Sequence, residues 1–173
     1  MLVVDFEVIG QYYGVRKITT LSKRSVLDIM DNHQLNNKAE LEQKIISTLD
    51  QHHIASFATV EEGKPKQRYM AMQHDGLDIH LATDRRSAKV DELKQNPNVS
   101  LLLGAEAGDK HEIVEIEGKC SITSNEQLRH TMWKEEYKQW FEGPDDPNYV
   151  VLDITPNTII YYDHSTEEQV WHA

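Results

Sequence analysis

The residues of this chain best suited to chemistry are cations and hydroxyls gathered at the end of a strand. In "HLATDRRSAK" (80–89) an apolar-leaning run ends at Thr83, and Asp84, Arg85, Arg86, Ser87 and Lys89 crowd together where a helical pattern begins. Between positions 64 and 89, Lys64, Lys66, Arg68, Arg85, Arg86 and Lys89 meet only Asp75, Asp78 and Asp84, whereas the whole chain has 18 Lys and Arg against 29 Asp and Glu. A cationic island in an acidic chain is suited to a bound anion. Ser87 and Lys89 open the helix, where free N–H groups and the dipole favour negative charge. Arg68 lies on a neighbouring expected strand. A phosphate group held by Arg68 and Lys89, with the hydroxyls of Thr83 and Ser87 and backbone amides, accounts for the pattern. On charge alone, a solvated basic rim with Ser87 as an ordinary N-cap is the simpler account.

Other chemistries leave weaker traces. There are nine histidines but no HExxH and no CxxC. His52 and His53 are adjacent and point to different sides of a helix. His74 and His80 face one another across an expected hairpin, with no third ligand by spacing, so no metal site is expected. GxSxG and SxxK are absent, as are GxGxxG and GxxxxGK[ST]. No residue stands out as a general acid or base, so the catalytic residues stay unassigned; Tyr69, His74 and His111 are merely able to move protons. Cys120 is the lone cysteine, which precludes an internal disulfide and reads as a small buried hydrophobe.

The elements that must position these groups follow from periodicity. "KAELEQKIISTLDQHH" puts Leu41, Ile45, Ile46 and Leu49 on one helical face. "IASFATV" and "KQRYMAM", joined by the turn "EEGKP", form a hairpin. "LDIHLAT" is a third strand, and "SAKVDELKQNP" is a helix capped near Ser87 and ended before Pro97. "NVSLLLG" is a buried strand, and "HEIVEIEGKCSIT" is long and alternating with a bulge or bend at Gly118. "NEQLRHTMWKEEYKQWF" is expected as one amphipathic helix. "YVVLDIT" and "TIIYYDH" are expected as two strands separated by Pro156 and Asn157, and "EEQVWHA" as a last short strand. Many strands with interspersed helices and no regular βαβ alternation predict a mainly β fold, an antiparallel sheet or barrel with flanking helices. Residues 38–173 form this domain. Residues 1–37 form an extension: "LVVDFEVI" is a candidate strand, "SKRSVLDIM" has helical spacing with Ser22 as a cap, and "DNHQLNN" reads as a linker.

Bulk properties narrow the partners. The formal net charge of -11 disfavours nucleic acid and anionic membrane. No apolar run approaches the ~18 residues of a membrane span. The opening "MLVVDFEVIG" lacks a basic n-region and makes a poor signal peptide, so a cytoplasmic location is the simplest expectation.

A strand with Arg68 after a "GKP" turn, then Thr83 and the Ser87-x-Lys89 helix start, then "NPNVSLLL" and "EIEGKCSI", resembles the pyridoxamine 5'-phosphate oxidase-like family of FMN-binding split barrels. "WKEEYKQWFEGPDDPNYVVLDITP" resembles that family's general stress protein 26 branch. The resemblance runs from about Lys38 to Trp171. It implies a homodimeric split β-barrel with FMN at the subunit interface and a small-molecule redox partner. Arg68 and Lys89 would hold the FMN phosphate and Thr83 and Ser87 would hydrogen-bond it. Main-chain groups of Tyr69, Met70 and Ala71 would run beside the flavin ring, and Trp140 and Phe141 would pack near it from the partner subunit, unless they fill the core or the dimer contact. Two departures stand out. Ala88 replaces an arginine usual in the oxidases, which implies weaker FMN binding. The tail "STEEQVWHA" is acidic and has no arginine, so pyridoxamine phosphate is not the expected substrate. Three functions follow from the resemblance: an FMN-dependent oxidoreductase, a flavin-binding module without turnover, or a binder of a deazaflavin or haem.

Overall fold

In a computed structural model of the chain, residues 23–104, 112–163 and 168–173 are described. The chain divides into two compact units, 1–39 and 40–173. The described part of the first belongs to helix α1 (Lys23–Gln51). "DNHQLNN" is thus helical and not a linker. It contains no Gly or Pro, and Asn, Asp and His each cost only about 0.7 kcal/mol relative to Ala. The candidate strand "LVVDFEVI", Ser22 and His111 lie outside the described residues.

The second unit holds strands β1 (Ile54–Glu61), β2 (Lys64–Ala71), β3 (Gln73–Asp75), β4 (Asp78–Asp84), β5 (Asn98–Leu103), β6 (Ile113–Thr123), β7 (Tyr149–Tyr162) and β8 (Gln169–His172). Helices α2 (Ala88–Gln95) and α3 (Glu126–Met132) and a 3-10 turn (Glu135–Gln139) flank them. The strands pair antiparallel in the order β2-β1-β5-β6-β7-β4-β3, with β8 added on β7. The sheet curls into a split barrel, and β2 and β4 approach one another. The β1–β2 hairpin turns on Glu62 and Gly63, both at positive φ (51° and 76°). That conformation matches the right-handed strand twist, and it sets Phe57 opposite Arg68.

Burial follows the pleat. Ala55, Phe57 and Thr59 of β1 and Ile79, Leu81 and Thr83 of β4 are buried at alternate positions, as period-two side chains must be on one face. Ala55, Phe57, Ile79 and Leu81 meet Leu101, Ile116, Leu152, Ile154 and Ile159 in one core. Leu41, Ile45 and Leu49, four residues apart on α1, belong to the same core. Burying each such side chain is worth about 1.5–3 kcal/mol.

Three expectations differ from the structure. The two C-terminal strands are one, β7, running through Pro156. The register shifts at Glu117/Gly118, where Gly118 pairs with Pro156 and Glu117 with Thr158, leaving Asn157 as the extra residue. The bulge expected at Gly118 thus tolerates a proline that a regular ladder would reject, and a Cβ on Gly118 would come 2.6 Å from the Thr155 carbonyl oxygen. The long helix expected over 125–141 is α3 followed by extended Trp133 and the 3-10 turn. The break lets Trp133 and Tyr137 each pack against Tyr149, with ring centroids 5.3 and 6.1 Å away. Finally, β3 went unread, and its register sets Gln73 opposite His80 and His74 opposite Ile79. His74 and His80 therefore occupy opposite faces, and they approach Asp50 and Asp153, each at 3.2 Å.

Candidate functional site

The inward rows of β1 and β4 end in threonines, Thr59 and Thr83, both buried. A hydroxyl at the end of an apolar row brings polarity to the rim of the core. Arg68 on β2 is a diagonal neighbour of Thr59, whose direct partner is Lys66; diagonal pairs lie within reach of long side chains. Its Nη1 donates to Thr59 Oγ1 at 2.5 Å and its Nη2 donates to Glu92 Oε2 at 3.0 Å. Thr59 in turn donates to Glu92.

Helix α2 brings the other half. Lys89 and Glu92, three residues apart, share a helix face. Lys89 Nζ donates to Thr83 Oγ1 at 3.0 Å. Ser87 is the N-cap of α2, yet its side chain makes no capping bond; its hydroxyl lies 3.3 Å from that of Thr83. Arg68, Thr83, Ser87 and Lys89 thus converge from β2, β4 and the start of α2.

Charge in this cradle is strained. Burial lowers the pKa of Lys89, and the positive charge of Arg68 lowers it further, against opposing pulls from Glu92 and Asp84. Among the described residues no carboxylate lies at ion-pair distance from Lys89, whose Nζ meets only the Thr83 hydroxyl. Burial would raise the Glu92 carboxyl, but hydrogen bonds from Thr59 and Arg68, and the charges of Arg68 and Lys66, hold it below its ordinary range. Asp84, Arg85, Arg86 and Lys66 are engaged elsewhere. Asp84 accepts from Arg86 at 2.6 and 3.0 Å, and its carboxyl is held at about 2 by those bonds. Arg85 donates from Nε to the Pro147 carbonyl at 2.9 Å, and its backbone N–H donates to the Asn148 carbonyl at 2.7 Å. Lys66 pairs with Glu61.

The other expected site residues are dispersed. Tyr69 is 82% exposed, on the face of β2 opposite Arg68. Met70 is half-buried and packs on the core, and Ala71 ends the strand. Because β2 is a terminal strand of the sheet order, half of its main-chain groups face away from β1. Trp140 and Phe141 do not act as a pair. Phe141 is buried in its own chain, with its ring 5.2 Å from Tyr149 and near Met132 and Val151. Trp140 is 65% exposed. Consecutive residues at the end of a 3-10 turn point in different directions, so one ring faces inward and one outward.

Sequence reading missed Thr59 and Glu92. Thr59 carried a signal, being the polar end of the alternating Ala55–Phe57 row. Nothing in the sequence singles out Glu92, one turn beyond Lys89, and the structure places it inside the cradle. Cys120 is buried, its thiol pushed up to about 12 by burial and by the charge of Asp153, as an inert core cysteine should be. No helix among the described residues is long and apolar enough to cross a membrane.

A family model described as pyridoxamine 5'-phosphate oxidase matches residues 41–163. General stress protein 26 of Bacillus subtilis (strain 168) is 41% identical over 126 residues, covering 71% of this chain and 89% of that protein. The crystal structure of general stress protein 26 from Bacillus anthracis is similar with a TM-score of 0.69 at 32% identity, covering 77% of this chain and 98% of that one. A pyridoxamine 5'-phosphate oxidase-related, FMN binding protein from Nostoc punctiforme shares the fold (TM-score 0.57, 16% identity, 81% of this chain and 88% of that one).

Proposed function

Taking as premise that the chain belongs to the pyridoxamine 5'-phosphate oxidase family, in its general stress protein 26 branch, we propose that it binds FMN and acts as a flavin-dependent oxidoreductase. The observation that carries this reading is the convergence of Arg68, Lys89, Thr83 and Ser87 at the start of α2, around a lysine that has no carboxylate at ion-pair distance among the described residues. A phosphate monoester supplies an anion there, and the free N–H groups at the start of α2 add to its binding. FMN fits this donor set: Arg68 and Lys89 hold the phosphate by charge-assisted bonds, and the Thr83 and Ser87 hydroxyls orient it. The outward main-chain groups of β2, at Tyr69 to Ala71, serve the polar edge of the ring. When bound, the flavin supplies electron transfer, while the protein supplies binding, orientation and electrostatics.

The working unit in this reading is a homodimer. Exposed Tyr69 and Trp140 and the terminal strand β2 are surfaces that a second copy covers. Pyridoxamine 5'-phosphate is not the substrate in this reading, because residues 130–173 hold no arginine to grip a second phosphate and carry Asp163, Glu167 and Glu168 instead. Calorimetric titration with FMN and with riboflavin tests the assignment. FMN should bind much more tightly, and equal affinities would remove the phosphate cradle from the reading.

A further inference from the structure

Resting on the FMN reading above, we propose that Glu92 is a built-in counter-ion of the phosphate cradle, one that orients Arg68 while weakening its hold on phosphate, so that the flavin is exchangeable. The geometry is specific. The Glu92 side chain is only 5% exposed, and it takes the Nη2 of Arg68 at 3.0 Å. Thr59 closes the triangle, accepting from Nη1 of Arg68 and donating to the same Glu92 oxygen. Both terminal nitrogens of Arg68 are thereby anchored, which fixes the guanidinium before any ligand arrives.

The cost is charge. A phosphate monoester carries between one and two negative charges at neutral pH. Arg68 and Lys89 together would match it, but Glu92 cancels one of them. Asp84 is neutralised by Arg86, Lys66 by Glu61, and Arg85 is turned to the carbonyls of Pro147 and Asn148. Of the two cations assigned to the phosphate, Arg68 faces Glu92 and Lys89 has no carboxylate at ion-pair distance among the described residues. A buried carboxylate near the phosphate repels it, and a low-dielectric setting magnifies that repulsion.

The test compares wild type with E92Q and E92D, using FMN, riboflavin and inorganic phosphate as probes. The Gln side chain keeps an acceptor for Arg68 and Thr59 and removes the charge, so FMN and phosphate should each bind about tenfold more tightly. FMN release, followed by the recovery of its fluorescence, should slow correspondingly. Riboflavin affinity should not move, which separates a charge effect from a change in packing. E92D keeps the charge on a shorter arm and should bind FMN no more tightly than wild type; tightening there equal to that of E92Q overturns the proposal. So does unchanged or weaker FMN binding by folded E92Q alongside a wild type that prefers FMN over riboflavin, and the FMN reading then survives. If wild type ignores FMN but takes phosphate, and E92Q takes it more tightly, the role of Glu92 stands and the FMN reading fails. If wild type binds neither FMN nor phosphate, both fall.

Discussion

Lys89→Met isolates what the cradle's cation without a carboxylate partner does. The substitution keeps a straight side chain of similar length, so the packing of α2 against the core through Val90 and Leu93 should persist. It removes the Nζ that donates to Thr83 at 3.0 Å. A hydrogen bond to a charged group is worth roughly 1.5–3 kcal/mol, so FMN should bind roughly ten- to a hundredfold more weakly. Riboflavin, without the phosphate, should bind both proteins alike. The stability of the unliganded protein should move the other way. Lys89 is half-buried, and both that burial and the charge of Arg68 oppose its protonation. An uncharged side chain relieves both, so the ligand-free melting temperature should hold or rise. A pH series supplies the third arm. Because the folded pKa of Lys89 is lowered, the lysine loses its proton at a lower pH than an ordinary one. FMN affinity of wild type should therefore fall as pH rises, starting below the usual lysine range, while Lys89→Met shows no such fall. Fluorescence titration measures all three. FMN affinity equal in the two proteins would falsify the assignment of Lys89 to the phosphate.

Other outcomes follow from the same geometry. Glu92 has a folded pKa below its ordinary value, so its stabilising contribution is complete above the usual carboxylate range and is lost as pH falls through it. Urea unfolding between about pH 6 and pH 3 should accordingly lose stability more steeply in wild type than in E92Q; parallel curves would count against the buried pair. Trp140→Ala removes an exposed ring and should shift monomer stability by no more than ~0.5 kcal/mol, whereas Phe141→Ala empties the cluster around Tyr149 and should cost about 3 kcal/mol. Sedimentation then decides whether loss of the Trp140 ring dissociates a dimer, and equal thermal losses for both variants would contradict the inward–outward split. An oxidase assay with excess FMN should detect no pyridoxal phosphate from pyridoxamine phosphate, and steady turnover would refute the substrate argument.

What the linear chain determined was local. The β-rich runs marked β1 and β4 as strands, the Glu62–Gly63 turn set the hairpin, and Gly118 announced a bulge, because each depends on φ/ψ preferences and on which neighbour a residue meets within a few positions. The same locality made Arg68, Thr83, Ser87 and Lys89 legible as a possible anion site: three of them sit within seven residues, and the fourth lies one hairpin away. Tertiary structure decided the rest. Whether Pro156 ends a strand depended on Gly118, 38 residues earlier, supplying a bulge opposite it. The helix after Asn125 broke because Trp133 and Tyr137 both gain by packing on Tyr149, a gain that overrides the good intrinsic helix propensity of Lys134, Glu135 and Glu136. Trp140 and Phe141 look alike in sequence and part company only because Tyr149 takes one of them. Glu92 is the plainest case. Its sequence neighbours make it a surface residue of a short helix, and only the approach of β1 and β2 surrounds it with Thr59 and Arg68. A charge becomes a tuning element when the fold removes its water and sets it against Arg68, and no spacing rule along the chain encodes that.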